Sequence, residues 1–161
     1  MSAEESTPPA EDAVVLRIPG ARGKVEVVGT RRVFYKIRQG GDVLKRRGGG
    51  WPIQLKNGSV AKIRAAGWFP GFQTLYLDGE KVYQFGAGVP AIAKVLALLP
   101  LLAILASPVA GVLVGLVFVF YSIIAIKYPE FPPGVRIALP LMNTLAAILL
   151  TLVIQGGTGT N

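Results

Sequence analysis

From Val95 to Ile126 no side chain carries a charge, and from Ile137 to Ile154 none does either. Runs of this length and polarity suit hydrocarbon, whereas a water-facing element alternates polar with apolar residues. The contrast with the rest of the chain sharpens the point. Of 17 Lys and Arg residues, 15 lie in the first 94 positions beside eight of the nine acids, a formal +7 for that stretch. With 52% hydrophobic residues overall and a mean hydropathy of +0.51, the 161-residue chain is too apolar for an ordinary soluble domain. Its two halves require two solvents, water for one and lipid for the other.

Length fixes how the apolar half is divided. A helix rises ~1.5 Å per residue and the hydrocarbon layer is ~30 Å thick, so one crossing takes roughly 18 to 20 residues. Ile137 to Ile154 fits one crossing, and Val89 to Ile126 is too long for one. The natural break is Ser107-Pro108, because proline lacks a donor and disfavours helix at the residue before it. Three spans follow, 89–106, 109–126 and 137–154, inside a transmembrane region 89–154 with a flexible tail, 155–161. The alternative is two spans, the first long, tilted and kinked at Pro100 and Pro108. A re-entrant pair of half-helices is a third arrangement. The link Lys127 to Arg136 is basic, whereas the tail after Ile154 carries no charge. Three spans put that link on the same side as the basic N-terminal half, as the positive-inside rule prefers.

The N-terminal half reads as short strands. Lys24–Val27 and Arg32–Arg38 alternate, and Trp51–Leu55, Ser59–Arg64, Phe72–Leu77 and Lys81–Phe85 are further candidates. Asn57-Gly58 and Asp78-Gly79 sit between such runs, where a type I′ turn takes positive φ at both central residues. Pro19-Gly20, Gly40-Gly41 and Gly48-Gly49-Gly50 punctuate the rest. The expected fold class is a small all-β domain, an antiparallel sheet or sandwich over 13–86, followed by transmembrane α-helices. Residues 1–12, rich in acids with Pro8 and Pro9, read as a disordered tail. They lack the basic start and apolar run of a signal peptide, so the β domain is expected on the cytoplasmic side of the cell membrane, the plasma or inner membrane, in a multi-pass protein.

The residue inventory narrows the chemistry. There is no cysteine and no histidine, which removes thiol nucleophiles, thiolate metal sites and the commonest general base and metal ligand. Asp42, Asp78 and Glu80 fall at turns or strand edges, and no paired-carboxylate, Ser/Lys or phosphate-loop spacing occurs. No enzyme, cofactor or metal site is expected.

The candidate contacts are of two kinds. Lys45, Arg46 and Arg47, followed by three glycines and Trp51, form a cluster suited to anionic headgroups, with the indole at the interface. The bland reading is a solvated, flexible loop. Arg32, Lys36 and Arg38, and separately Lys62 and Arg64, would share strand faces. With Phe34 the one aromatic interleaved among those cations, nucleic acid is disfavoured as a partner. In the apolar half, Gly111 and Gly115 lie four apart on one helix face and allow close helix approach. Asn143, beside Thr144, is suited to an interhelical hydrogen bond, and Lys94 to a snorkelling boundary position.

The stretch Gly67-Trp68-Phe69-Pro70-Gly71-Phe72-Gln73-Thr74-Leu75-Tyr76-Leu77-Asp78-Gly79 resembles a group of small, uncharacterised bacterial membrane proteins. That group has a Gly-x-Phe turn, a proline and a Leu-x-Leu-Asp-Gly type hairpin, then a Leu-Pro-rich span, a glycine-rich junction, a basic link and a last span. Leu99-Pro100, Gly111 with Gly115, and Lys127 to Arg136 stand in those places, while Ser107-Pro108 replaces the paired glycines. The resemblance covers about residues 67–154 and implies architecture alone. Together these readings give a non-enzymatic membrane protein, an accessory or scaffold subunit. Its basic domain would bind the anionic bilayer surface or a protein partner, including a second copy. The alternative is a small transporter or channel-like subunit built from the spans.

Overall fold

The computed structural model describes residues 12–158, and the chain separates into two units between Ala87 and Gly88. The first holds eight strands in two antiparallel four-stranded sheets. The first sheet runs β1 (Ala13–Leu16), β2 (Val25–Val28), β3 (Lys36–Gln39) and β4 (Asp42–Val43), each beside the next. The second runs β5 (Gly50–Gln54), β6 (Val60–Ala66), β7 (Thr74–Leu77) and β8 (Glu80–Gln84), again in sequence order. The β3–β4, β5–β6 and β7–β8 connections are tight glycine-containing turns, whereas β1–β2, β2–β3 and β6–β7 are joined by longer loops.

Period-two alternation decides what each strand buries. Val25 and Val27, Ile37, Trp51 and Ile53, Ile63, Leu75 and then Phe85 turn inward into one core. Between them stand outward residues such as Glu26, Lys62 and Arg64. At one end of the sheets this core is tied by a buried amide. Gln39 Nε2 donates to the carbonyls of Arg22 and Gln54, and Gln54 N–H donates back to Gln39 Oε1. At the other end Tyr35 does the joining. Its ring centroid lies 4.3 Å from Phe85 and 5.7 Å from Trp51, and its hydroxyl donates to Gln73 Oε1.

Several local readings change. Arg32–Tyr35 is loop, so β3 starts at Lys36 and Arg32 does not share its face. Asp78 and Gly79 have φ of 49° and 95°, the type I′ pattern. At Asn57-Gly58 only Gly58 is positive, at 81°. There a three-residue loop closes with Gly58 N–H on the Leu55 carbonyl, and Asn57 Oδ1 accepts from Ser59 N–H. Asp12, placed with the tail by composition, accepts backbone bonds from Gly29 and Arg31 and so belongs to the domain. The remaining tail, 1–11, lies outside the described residues, as does 159–161.

The second unit contains α1 (Ala91–Leu96), a 3-10 segment (Leu99–Leu105), α2 (Pro108–Ile126) and α3 (Pro133–Thr158). Ser107-Pro108 is indeed a break, with Ser107 extended and Pro108 opening α2. The stretch 89–106 is not one regular α-helix. Pro100, which has no N–H to give, stands at the start of the 3-10 turns that replace the α-helix there. Two helices, α2 and α3, are long and apolar enough to cross a membrane. α3 continues through Gln155–Thr158, so the segment 155–161 begins as helix.

Candidate functional site

Trp51 is the first sequence candidate to look different in three dimensions. It sits in β5 and is 9% exposed, packed in the core beside Tyr35. An indole held there cannot also lie among lipid headgroups, and this corrects the reading of Trp51 as an interfacial anchor. The guanidinium of Arg46 lies 5.2 Å from the indole centroid, a cation–π arrangement that lays the arginine stem over the core edge. Burial pushes the Tyr35 phenol above its ordinary value, and the nearby Arg46 charge pulls it partly back.

The three glycines after Arg47 are not a flexible hinge either. Arg47 and Gly50 exchange both backbone hydrogen bonds, with Gly48 at φ 52° and Gly49 at φ 80°, a tight primed turn. Lys62 Nζ donates to the Gly48 carbonyl across it. A Cβ on Gly50 would lie 2.4 Å from the Ile63 carbonyl oxygen, so β5 can approach β6 there only as glycine. Lys45, Arg46 and Arg47 remain exposed, leading into a hydrogen-bonded turn rather than an open loop.

The strand directions place this hairpin at a particular end of the unit. Val28 pairs with Ala13 and Lys36, Gly50 with Arg64, Ala66 with Thr74, and Thr74 with Gln84. Through Tyr35 these positions form one end. It carries the loop 29–35, the hairpin 45–50, the loop 67–73 and the exit of the chain at Phe85, whose N–H donates to the Gln73 carbonyl. The turns at Gly40-Gly41, Asn57-Gly58 and Asp78-Gly79 lie at the opposite end, with Asp42, Asp78 and Glu80. Sequence reasoning missed the most exposed large hydrophobic side chains at the exit end, Phe34 at 77% and Trp68 at 85%. The loops that carry them are built structures. Gly29 closes so tightly that a Cβ would lie 2.9 Å from the Phe34 carbonyl oxygen, and Trp68 stands edge-on to the buried Phe69, which in turn meets Phe72 edge-to-face. Tyr83, whose phenol is raised first by burial, takes a side-chain hydrogen bond with Thr30 of the first loop.

Of the strand cations, Lys36 and Arg38 share the outer face of β3, but Glu26 pairs with Arg38 across the ladder and with Lys24 as an ion pair. Lys62 and Arg64 share a face of β6. Among the described residues no three metal-ligating side chains gather.

In the helical unit Gly111 and Gly115 face the 3-10 segment. Added Cβ atoms would lie 2.1 Å from the Ala103 carbonyl oxygen and 2.8 Å from that of Pro100. As α2 advances from 111 to 115 its partner recedes from 103 to 100, so the two run antiparallel with backbones in contact. Asn143 Nδ2 donates to Ser122 Oγ, joining α3 to α2. Thr144 and Thr151 hydroxyls donate to the carbonyls four residues earlier, and Arg136 binds the carbonyls of Pro129 and Phe131 in the link. Outward, Leu113, Leu116, Val117 and Phe120 of α2, and Leu145, Leu149, Leu152 and Val153 of α3, are exposed at helical spacing. Lys94 is half-buried on α1.

No family profile matches this chain, and neither a curated protein nor a solved structure matches it.

Proposed function

We propose that this chain is a non-enzymatic, multi-pass protein of the cell membrane whose basic β unit works at the cytoplasmic, anionic face of the bilayer as an accessory or scaffold. One observation carries the reading. The outward faces of α2 and α3 carry apolar stripes, while Ser122, Asn143, Thr144 and Thr151 bond to one another or to their own helix. In water such stripes would be an exposed apolar patch of the kind soluble monomers avoid; in lipid they are the expected surface. The inward polar groups serve packing, which favours an anchor over a transport path.

The helical unit is read as three crossings, the first one short. Six α residues rise ~9 Å and seven 3-10 residues ~14 Å, because the tighter helix rises ~2.0 Å per residue. With Ala97 and Leu98 between them, Ala91–Leu105 approaches the ~30 Å hydrocarbon thickness that a fifteen-residue α-helix would miss by more. The antiparallel contact with α2 supports the same path. It returns the link 127–132 to the side of the β unit and sends the C-terminus across.

Flotation and alkaline extraction test the membrane claim. The expected result is that the full chain floats with liposomes and resists extraction at high pH. Release into the soluble fraction would refute it.

A further inference from the structure

The end of the β unit from which the chain departs differs from the opposite end in three respects at once. It holds the two most exposed aromatic side chains of that unit, Phe34 and Trp68, on separate loops joined through the Tyr35–Gln73 hydrogen bond. Among the described residues it holds Arg31, Arg32, Lys45, Arg46 and Arg47 against one acid, Asp12, whose carboxylate accepts from the Arg31 N–H. And it is tethered. From Phe85, fixed in the core, only residues 86–90 intervene before α1 opens at Ala91, a reach of roughly 20 Å at most at ~3.3–3.6 Å per residue. The far end is of mixed charge, with Asp42, Asp78 and Glu80 standing among Arg17, Arg22, Lys24, Lys56 and Lys81.

We infer that this end is the membrane-docking face of the β unit. Phe34 and Trp68 enter the headgroup layer of the bilayer that holds the helices, and the five cations surround them on anionic lipid phosphates. The inference rests on the membrane reading above and replaces Trp51 with Trp68 as the interfacial indole. Aromatic rings with one wet edge favour the headgroup region, and cations near an anionic leaflet each add attraction that salt screens. Built loops serve this better than loose ones, because the rings are already presented and little conformational freedom is lost on insertion. The tether keeps the local lipid concentration high, so individually weak contacts are populated. The far end, of mixed charge and without an exposed aromatic pair, is then left to the cytoplasm.

The chain contains only two tryptophans, which makes the test direct. The full-length protein and its Trp68→Phe and Trp51→Phe variants are reconstituted in nanodiscs of anionic or neutral lipid brominated high on the acyl chain. The account predicts that fluorescence of the Trp51→Phe variant, which reports Trp68, is strongly quenched in anionic discs. The Trp68→Phe variant, which reports Trp51, should be hardly affected. Quenching of Trp68 should fall several-fold in neutral discs, at high salt, or with Lys45→Ser/Arg47→Ser, substitutions that leave the packed Arg46 in place. Should Trp51→Phe fail to fold, the difference between wild type and Trp68→Phe gives the same quantity. Unquenched Trp68 that stays open to acrylamide, in protein that floats with the lipid, overturns the docking face and leaves the membrane anchor intact. Trp68 shielded from acrylamide but unquenched by lipid overturns it in favour of a protein occupant. Equal quenching in anionic and neutral discs overturns the role of the cations. Failure of the chain to enter discs at all overturns the membrane reading itself.

Discussion

The Nδ2 amide of Asn143 on α3 and the hydroxyl of Ser122 on α2 are 2.9 Å apart, with the amide donating. The two ends of this bond are not equivalent. A serine hydroxyl that loses its partner can turn to the carbonyl four residues earlier, as Thr144 and Thr151 already do in α3. An amide in an apolar bundle has no such alternative. Asn143→Leu should therefore lower the stability of the helical unit by about 0.5–1 kcal/mol, and Ser122→Ala by at least as much, because it strands the amide. Reversible unfolding in mixed micelles, followed by helical circular dichroism, measures both.

Gly111 has a sharper role. The atom a new methyl would meet is backbone, the Ala103 carbonyl oxygen, and backbone cannot swing aside. Gly111→Ala should cost about 1–3 kcal/mol through displacement of the 3-10 segment. Gly115→Ala, with more room, should cost less, and Gly134→Ala, with nothing within 4 Å, should be neutral. The order of the three in the same unfolding assay is the check. Equal effects would mean that α2 and the 3-10 segment do not touch.

In the β unit the counterpart is Gln39, which serves two carbonyls and one amide across the gap between sheets. Gln39→Leu fills the space but leaves the Gln54 N–H without its acceptor, at a cost of about 1–3 kcal/mol. Gln39→Glu should also destabilise at neutral pH, because a carboxylate cannot donate to the Arg22 and Gln54 carbonyls. Lowering the pH should recover part of that loss. Thermal melts of the full chain across pH give the comparison.

The hairpin turns make a conformational prediction. Gly79→Val and Gly58→Val should each cost about 1 kcal/mol or more, since φ of 95° and 81° resists a β-branched residue even though the space is open. Gly88→Val, where no positive φ is required, should not. Loss of strand signal on heating, read by circular dichroism, distinguishes them.

How far the sequence was legible depends on whether local chemistry decided the matter. Asp78-Gly79 was readable because few other pairs take two positive φ values, and the strand-rich N-terminal half was readable from alternation. The three glycines at 48–50 suit a loose loop and a tight turn equally well by composition, and only the Arg47–Gly50 pairing separates them. Trp51 was misjudged because the preceding cations suggest a surface, although its spacing of two from Ile53 already marked it as inward. Length arithmetic found the break at Ser107-Pro108 but took 89–106 for a regular helix, because it gave Pro100 no local effect. Phe34 was drawn into the alternating run Arg32–Arg38 although its strand starts only at Lys36, and Trp68 lies in a loop, where alternation says nothing about exposure. β1 was overlooked because it is a four-residue run beside a polar tail.

The central claim is a basic β unit on one side of a membrane, with the helical link returning to that side. A chain without cysteine allows it to be tested by single-cysteine labelling with a membrane-impermeant maleimide in intact cells. Ser59→Cys in the β unit and Glu130→Cys in the link are predicted to label only after permeabilisation, and Asn161→Cys to label from outside beforehand. Labelling of Ser59→Cys and Glu130→Cys from opposite sides, or of all three from the same side, would contradict the account.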